Sequence, residues 1–249
     1  MLYRQARGAI RATSLLICLI SCAGIAQGSS TPNISERVAL ADYLNNNSAE
    51  RPTIKSATQS IEMVNRIHFR VFNVVKEICR QESIPEKNCT WNIKVERQPS
   101  FNAYAFGRNE IIIHSGLIDQ TASEDEVAFV VAHEIGHHIF RHVYRKQKTI
   151  FIGAILGVIT GAGAEVGAGV SGLYSLATSS TMERTADRMA AIIISRAGYD
   201  ESKAKNVLIR MAKMDGRSKT AFLASHPAGL ERLYSFETQV KNRASKNEK

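Results

Sequence analysis

Apolar residues return at three- and four-residue steps along Ile61, Val64, Ile67, Val71, Val74, Val75 and Ile78. That period predicts an amphipathic helix from Ser60 to near Arg80, with one face given to packing. The period then shortens to two. Trp91 to Glu96 alternates as a strand does, and Asn102 to Phe106 and Glu110 to His114 predict two more strands joined by the turn Gly107-Arg108-Asn109. Ser123 with Glu126 three residues on forms a capping box ahead of Val127, Val130, Val131 and Ile135, so a helix is expected from about Glu124 to Arg145. Further helices are expected over Thr181–Arg196, over Glu201–Met214 behind the cap Asp200, and over Ala228–Val240 behind Pro227. The sum is an α+β domain, mainly helical, in which a small sheet precedes a central helix.

The ends of the chain have another texture. A basic start, the apolar run Ser14 to Ser21 and the small residues after it read as an export signal too short to span a bilayer. Leu19-Ile20-Ser21-Cys22 resembles the bacterial lipobox, with cleavage before Cys22 and lipidation of its sulfur; ordinary cleavage after Ala26 is the alternative. On this reading 1–21 is the signal, 22–59 a lipidated Ser-, Asn- and Thr-rich tether, 60–240 the catalytic domain and 241–249 a disordered basic tail. The expected location is the bacterial periplasm, with the chain lipid-anchored through Cys22 to the outer membrane. Cys79 and Cys89 remain as an even pair, for which a disulfide is the expectation in an oxidising compartment. Thr149 to Leu176 offers 16 residues before the charge of Glu165, short of a span, and reads either as a helical hairpin over a cleft or as a membrane-dipping loop.

Composition narrows the class. With 44% hydrophobic and 22% charged residues the chain can bury one sizeable core. Its net charge of +9 falls to +6 once Arg4, Arg7 and Arg11 leave with the signal, and the remaining bases are scattered. No nucleic-acid partner is expected; an anionic lipid surface suits such a charge better.

His133-Glu134-Ile135-Gly136-His137 places two imidazoles four residues apart on one helical face. Both can reach one Zn²⁺, while Glu134 addresses the water that the ion acidifies from pKa 15.7 to about 7. His138 and His142 repeat the spacing, but Ile139 occupies the place of the base, so they read as solvated histidines or as outer partners of a ligand. Phe140 and Val143 stand where a longer motif would carry its glycine and third histidine, so the third ligand comes from elsewhere. Glu183 and Asp187 are four apart among Ala186, Met189, Ala190, Ile192 and Ile193, an apolar setting unusual for a solvated face. One of the two acids can bind the metal while the other steadies a histidine ligand.

Asn102-Ala103-Tyr104-Ala105, the stretch Ile111 to Ile118, HEIGHH, ERTAD and Ser225-His226-Pro227 with Arg232 six residues after the histidine together resemble metallopeptidase family 48, the gluzincins of the HtpX, BepA and LoiP type. The resemblance covers about Ile61 to Thr238, and the short form with a lipobox looks closest to the LoiP-like lipoproteins. It implies one zinc per chain held by His133, His137 and Glu183, with Glu134 as general base and Asp187 accepting a hydrogen bond from His133. His226 is implied at the cleft, either steadying the oxyanion or capping zinc at rest; Arg232 matches in position alone. Asn102, Ala103, Tyr104 and Ala105 would be the edge strand to which substrate adds. The implied activity is zinc-dependent cleavage of unfolded or misassembled cell-envelope proteins; the alternative is a chaperone or assembly factor with a mostly closed zinc site.

Overall fold

The computed structural model describes residues 38, 42, 44–46, 49–106, 109–142, 181–214, 226 and 230–247. The leader, Cys22 and the Thr149–Leu176 stretch lie outside them. No helix among the described residues is long and apolar enough to cross a membrane.

Helix α1 spans Ala57–Gln81 and begins three residues before the expected start. The reason is local: the Ser56 hydroxyl accepts from the Gln59 N–H, and the Gln59 side chain accepts from the Ser56 N–H. Met63, Val64, Ile67, Val71, Val75, Ile78 and Cys79 form its buried stripe, each large aliphatic contributing about 1.5–3 kcal/mol by leaving water. The segment ahead of α1 is no free tether where it meets the domain. Lys55 Nζ donates to the carbonyls of Thr53, Ile118 and Thr121, and Ala49 packs on the core. At the far end of α1, Cys79 is bonded to Cys89 across a 6.3 Å Cα separation, tying the helix to the approach of the first strand.

Strands β1 (Asn92–Glu96), β2 (Ala103–Phe106) and β3 (Glu110–His114) form one sheet in the order β1-β3-β2. The β2–β3 pair is antiparallel, as the alternation predicts, with Tyr104 opposite Ile112. β1 runs parallel to β3, with Ile93 opposite Ile111. That pairing carries no sequence signature, because the crossover returns through the loop before β2. Among the described residues β2 has β3 on one side and no strand on the other. The His114 N–H donates to the Asn102 carbonyl at 3.0 Å, which makes Ala103 and Ile113 a non-hydrogen-bonded pair, so the backbone groups of Ala103 and Ala105 face the open edge.

A short helix α2 (Ser115–Asp119), absent from the sequence reading, follows β3. It is possible only with glycine at 116, where a Cβ would lie 2.1 Å from the Pro99 carbonyl oxygen. Helix α3 (Glu124–Ile139) is the centre of the domain, buried on nearly every side. Ser123 caps it, but the Glu126 carboxylate turns inward to Arg210, with Nε–Oε2 at 2.7 Å. Residues 181–196 form helix α4, followed by α5 (Glu201–Ala204), α6 (Asn206–Met214) and α7 (Leu230–Asn247).

Two helix ends differ from expectation. α3 stops at Ile139 instead of near Arg145, because Arg141 takes a left-handed conformation, φ 54°, that breaks the helix before His142. α7 continues to Asn247, through the residues read as a disordered tail. No Gly or Pro interrupts it, and Arg243 pairs with Glu201.

Candidate active site

Two helices crossing at a glycine build the site. Gly136 of α3 meets Ala186 of α4 so closely that a Cβ on residue 136 would lie 3.1 Å from the Ala186 Cα. Glycine inside a helix costs about 1 kcal/mol relative to alanine, and here it admits the backbone carrying Glu183 and Asp187.

His133, His137, Glu183 and His226 are all buried, and one donor atom from each lies within 4.8 Å of the other three. His133 Nε2 stands 3.0 Å from His137 Nε2 and 3.2 Å from Glu183 Oε2, and His137 Nε2 is 3.2 Å from Glu183 Oε1. His226 Nδ1 closes the group, 3.3 Å from His133 Nε2 and 3.1 Å from Glu183 Oε2. The three ring nitrogens face one another as well as the Glu183 carboxylate, a convergence of lone-pair donors suited to a cation. A cation at their midpoint satisfies all of them. Tetrahedral zinc with bonds of about 2.0–2.1 Å separates its donors by about 3.3 Å, which the group matches.

The surrounding contacts orient these donors. Asp187 Oδ1 accepts from His133 Nδ1–H at 2.8 Å, so Nε2 is the nitrogen turned inward. Arg232 reaches in from α7 and donates twice to Asp187, Nε to Oδ2 and Nη2 to Oδ1, each at 2.7 Å. Its Nη1 lies 3.3 Å from Glu183 Oε2, so one guanidinium spans both acids. Glu134 is turned away from the donors toward the sheet edge, where its Oε2 accepts from the Ala105 N–H at 2.8 Å. Its other oxygen, Oε1, is buried without a hydrogen-bond partner among the described residues, 3.4 Å from His226 Nε2. A carboxylate oxygen left open beside a metal group suits a base that takes a proton from water.

The sequence reading placed His133, Glu134, His137, Glu183, Asp187 and His226 here, and the structure brings them together. Tyr104 stands on the outer edge strand with its ring edge-on to His114. His138 is elsewhere: its Nε2 donates to the Glu110 carbonyl of β3 at 3.1 Å. The double contact of Arg232 was missed. Its only sequence trace is an arginine at a position flanked by the core residues Leu233 and Phe236.

Burial and charge set the protonation of the metal-free group. Burial depresses the His133 imidazole, but the Asp187 and Glu183 carboxylates outweigh that and raise its pKa to about 9. Burial also lowers His137, and there it prevails. Burial opposes ionisation of Glu183, yet the histidines around it hold its carboxyl well below the usual range. The metal-free site at neutral pH therefore carries one proton on His133 that a metal must displace. Metal binding between pH 7 and 8 is expected to release about one proton per site, so affinity rises with pH until His133 deprotonates near pH 9. Calorimetric titration in buffers of different ionisation enthalpy checks this, and a heat independent of buffer would contradict it.

A paired-histidine helix with a distal glutamate, an adjacent carboxylate base and an open sheet edge defines a metallopeptidase site. The profile of Peptidase family M48 matches residues 68–240, more than half the chain, and the chain belongs to that family. Among curated proteins, it is 30% identical over 146 residues to the mitochondrial metalloendopeptidase OMA1 of Arabidopsis thaliana, covering 57% of this chain and 30% of that protein. The OMA1 proteins of Schizosaccharomyces pombe and Saccharomyces cerevisiae are 28% and 30% identical over 171 and 155 residues, covering 62% and 57% of this chain. The matches span 50% and 45% of those two proteins, half or less of every relative. All three relatives are mitochondrial by name, which overturns the bacterial periplasmic, outer-membrane location expected from the leader.

Proposed function

We propose that this protein is a zinc endopeptidase that cleaves internal bonds of unfolded or misassembled proteins and rests with its metal site closed by His226. The observation that carries this reading is the contact between the base and the open strand, Ala105 N–H to Glu134 Oε2 at 2.8 Å. An extended chain added along β2 would use the outward backbone groups of Ala103 and the carbonyl of Ala105, while the Ala105 N–H stays with Glu134. Its scissile carbonyl would then lie beside Glu134. Such recognition reads the main chain and asks for little side-chain sequence, which suits unfolded substrates.

His133, His137 and Glu183 would hold the zinc, and the bound ion supplies Lewis acidity and a more acidic water. Glu134 takes the proton from the attacking water and returns it to the leaving amine. Arg232, through Asp187, keeps His133 in the tautomer with Nε2 free. His226 Nδ1 stands where a fourth donor would, within 3.3 Å of His133 Nε2. It must leave before water and substrate enter. The same closure favours the second reading, a chaperone or assembly factor that seldom cuts.

Removal of His226 separates the two. His226→Ala is expected to raise internal cleavage of unfolded casein by about tenfold at matched zinc content, the gain from releasing a mostly closed state. Folded substrates should stay intact. A rate unchanged or reduced defeats the closed resting state, and absence of internal cleavage in both proteins supports the non-cutting role.

A further inference from the structure

We infer that His142, outside the metal group itself, is the positioning residue for the His137 ligand. His142 is buried, and its Nδ1 lies 3.0 Å from Nδ1 of His137, with ring centroids 5.0 Å apart and planes inclined by 75°. His137 turns its Nε2 into the donor group, so in its neutral form the ring proton sits on Nδ1. That N–H donates to the lone pair of His142 Nδ1, which leaves the His142 proton on Nε2. The two imidazole ligands are thus held by different acceptors, His133 by the Asp187 carboxylate and His137 by a neutral ring.

The backbone is shaped to make this contact. Had α3 continued, residue 142 would lie about 140° around the axis from residue 137, on another face. Instead the helix ends at Ile139, the Arg141 N–H donates to the His138 carbonyl at 2.9 Å, and Arg141 adopts φ 54°. A non-glycine residue in the left-handed region costs on the order of 1 kcal/mol and persists where its surroundings require it. Here the break sets His142 against His137, and the Phe140 ring stacks on it at 5.5 Å with an interplanar angle of 19°. Residues five apart do not meet on a helix, so HEIGHHIFRH offers an outer-partner role for His142 only as one alternative and does not show which ligand it would meet.

The inference rests on the reading of this group as a zinc site, and one experiment separates the two. Zinc affinity of the full chain is measured by competition with a chromophoric chelator, beside the unfolding midpoint of each metal-free protein. Wild type is expected to bind zinc about 10- to 100-fold more tightly than His142→Ala, the usual effect of losing an outer partner of a ligand. His142→Asn places an amide oxygen near the position of Nδ1 and should return affinity to within about threefold of wild type. His142→Gln places its amide near Nε2 and should behave like His142→Ala. The Asn and Gln variants have similar polarity, so a merely structural role would not distinguish them. Affinity of His142→Ala within about threefold of wild type overturns the inference, as does Asn binding no better than Gln. A wild-type protein that takes up no zinc overturns the metal reading as well.

Discussion

Glu134→Gln is expected to keep metal content near that of the wild type while lowering casein cleavage by about 10² to 10⁴-fold. The carboxylate is not one of the four converging donors, so its loss leaves them in place. Glutamine matches its shape and can still accept from the Ala105 N–H through its amide oxygen, which preserves the 2.8 Å tie to the strand. What it lacks is the capacity to take up a proton. The buried Oε1, unpartnered among the described residues, becomes an amide nitrogen that can only donate. Metal analysis and cleavage rates on the same preparation check the result. Activity above about a tenth of wild type at full metal would remove Glu134 from the role of base.

Arg232→Ala is expected to destabilise the metal-free protein by about 3–5 kcal/mol, the usual consequence of leaving a buried charge without its partner. Asp187 is fully buried and held by two 2.7 Å bonds from this guanidinium. Burial works against its ionisation, but Arg232 outweighs burial and keeps its carboxyl below the usual range. Without the arginine, Asp187 must either remain a buried anion shared with His133 alone or become protonated. In the second case it no longer fixes the His133 tautomer, and metal affinity falls with stability. Arg232→Lys should recover only part of both, since an ammonium cannot reproduce the forked geometry. Urea unfolding gives the measurement, and a loss under about 1 kcal/mol would mean that Asp187 draws its compensation from elsewhere.

The chemistry in the sequence was legible where it is local. Four-residue spacing alone puts His133 and His137 on one face, and the same spacing puts Glu183 and Asp187 on another, because an α-helix returns to a face after one turn. Alternation of period two marked β2 and β3, and a three- and four-residue period marked α1. The choice of Glu183 over Asp187 as donor was not contained in that spacing; it came from family resemblance. In the fold it follows from the Gly136–Ala186 crossing, which sets Glu183 against both ligand rings and Asp187 behind His133.

Other features depend on contacts far apart in the chain. The parallel β1–β3 pairing, Arg232 reaching Asp187 across 45 residues, and His226 reaching His133 across 93 leave no periodic trace. Nor did the end of α3 at Ile139: Phe140 and Arg141 do not forbid a longer helix, and the turn is held by burial of His142 against His137. Side-chain spacing along a helix or strand is set by backbone geometry, so the sequence alone determines it. Which faces then meet depends on close packing between distant segments, and that is decided only when the whole chain has folded.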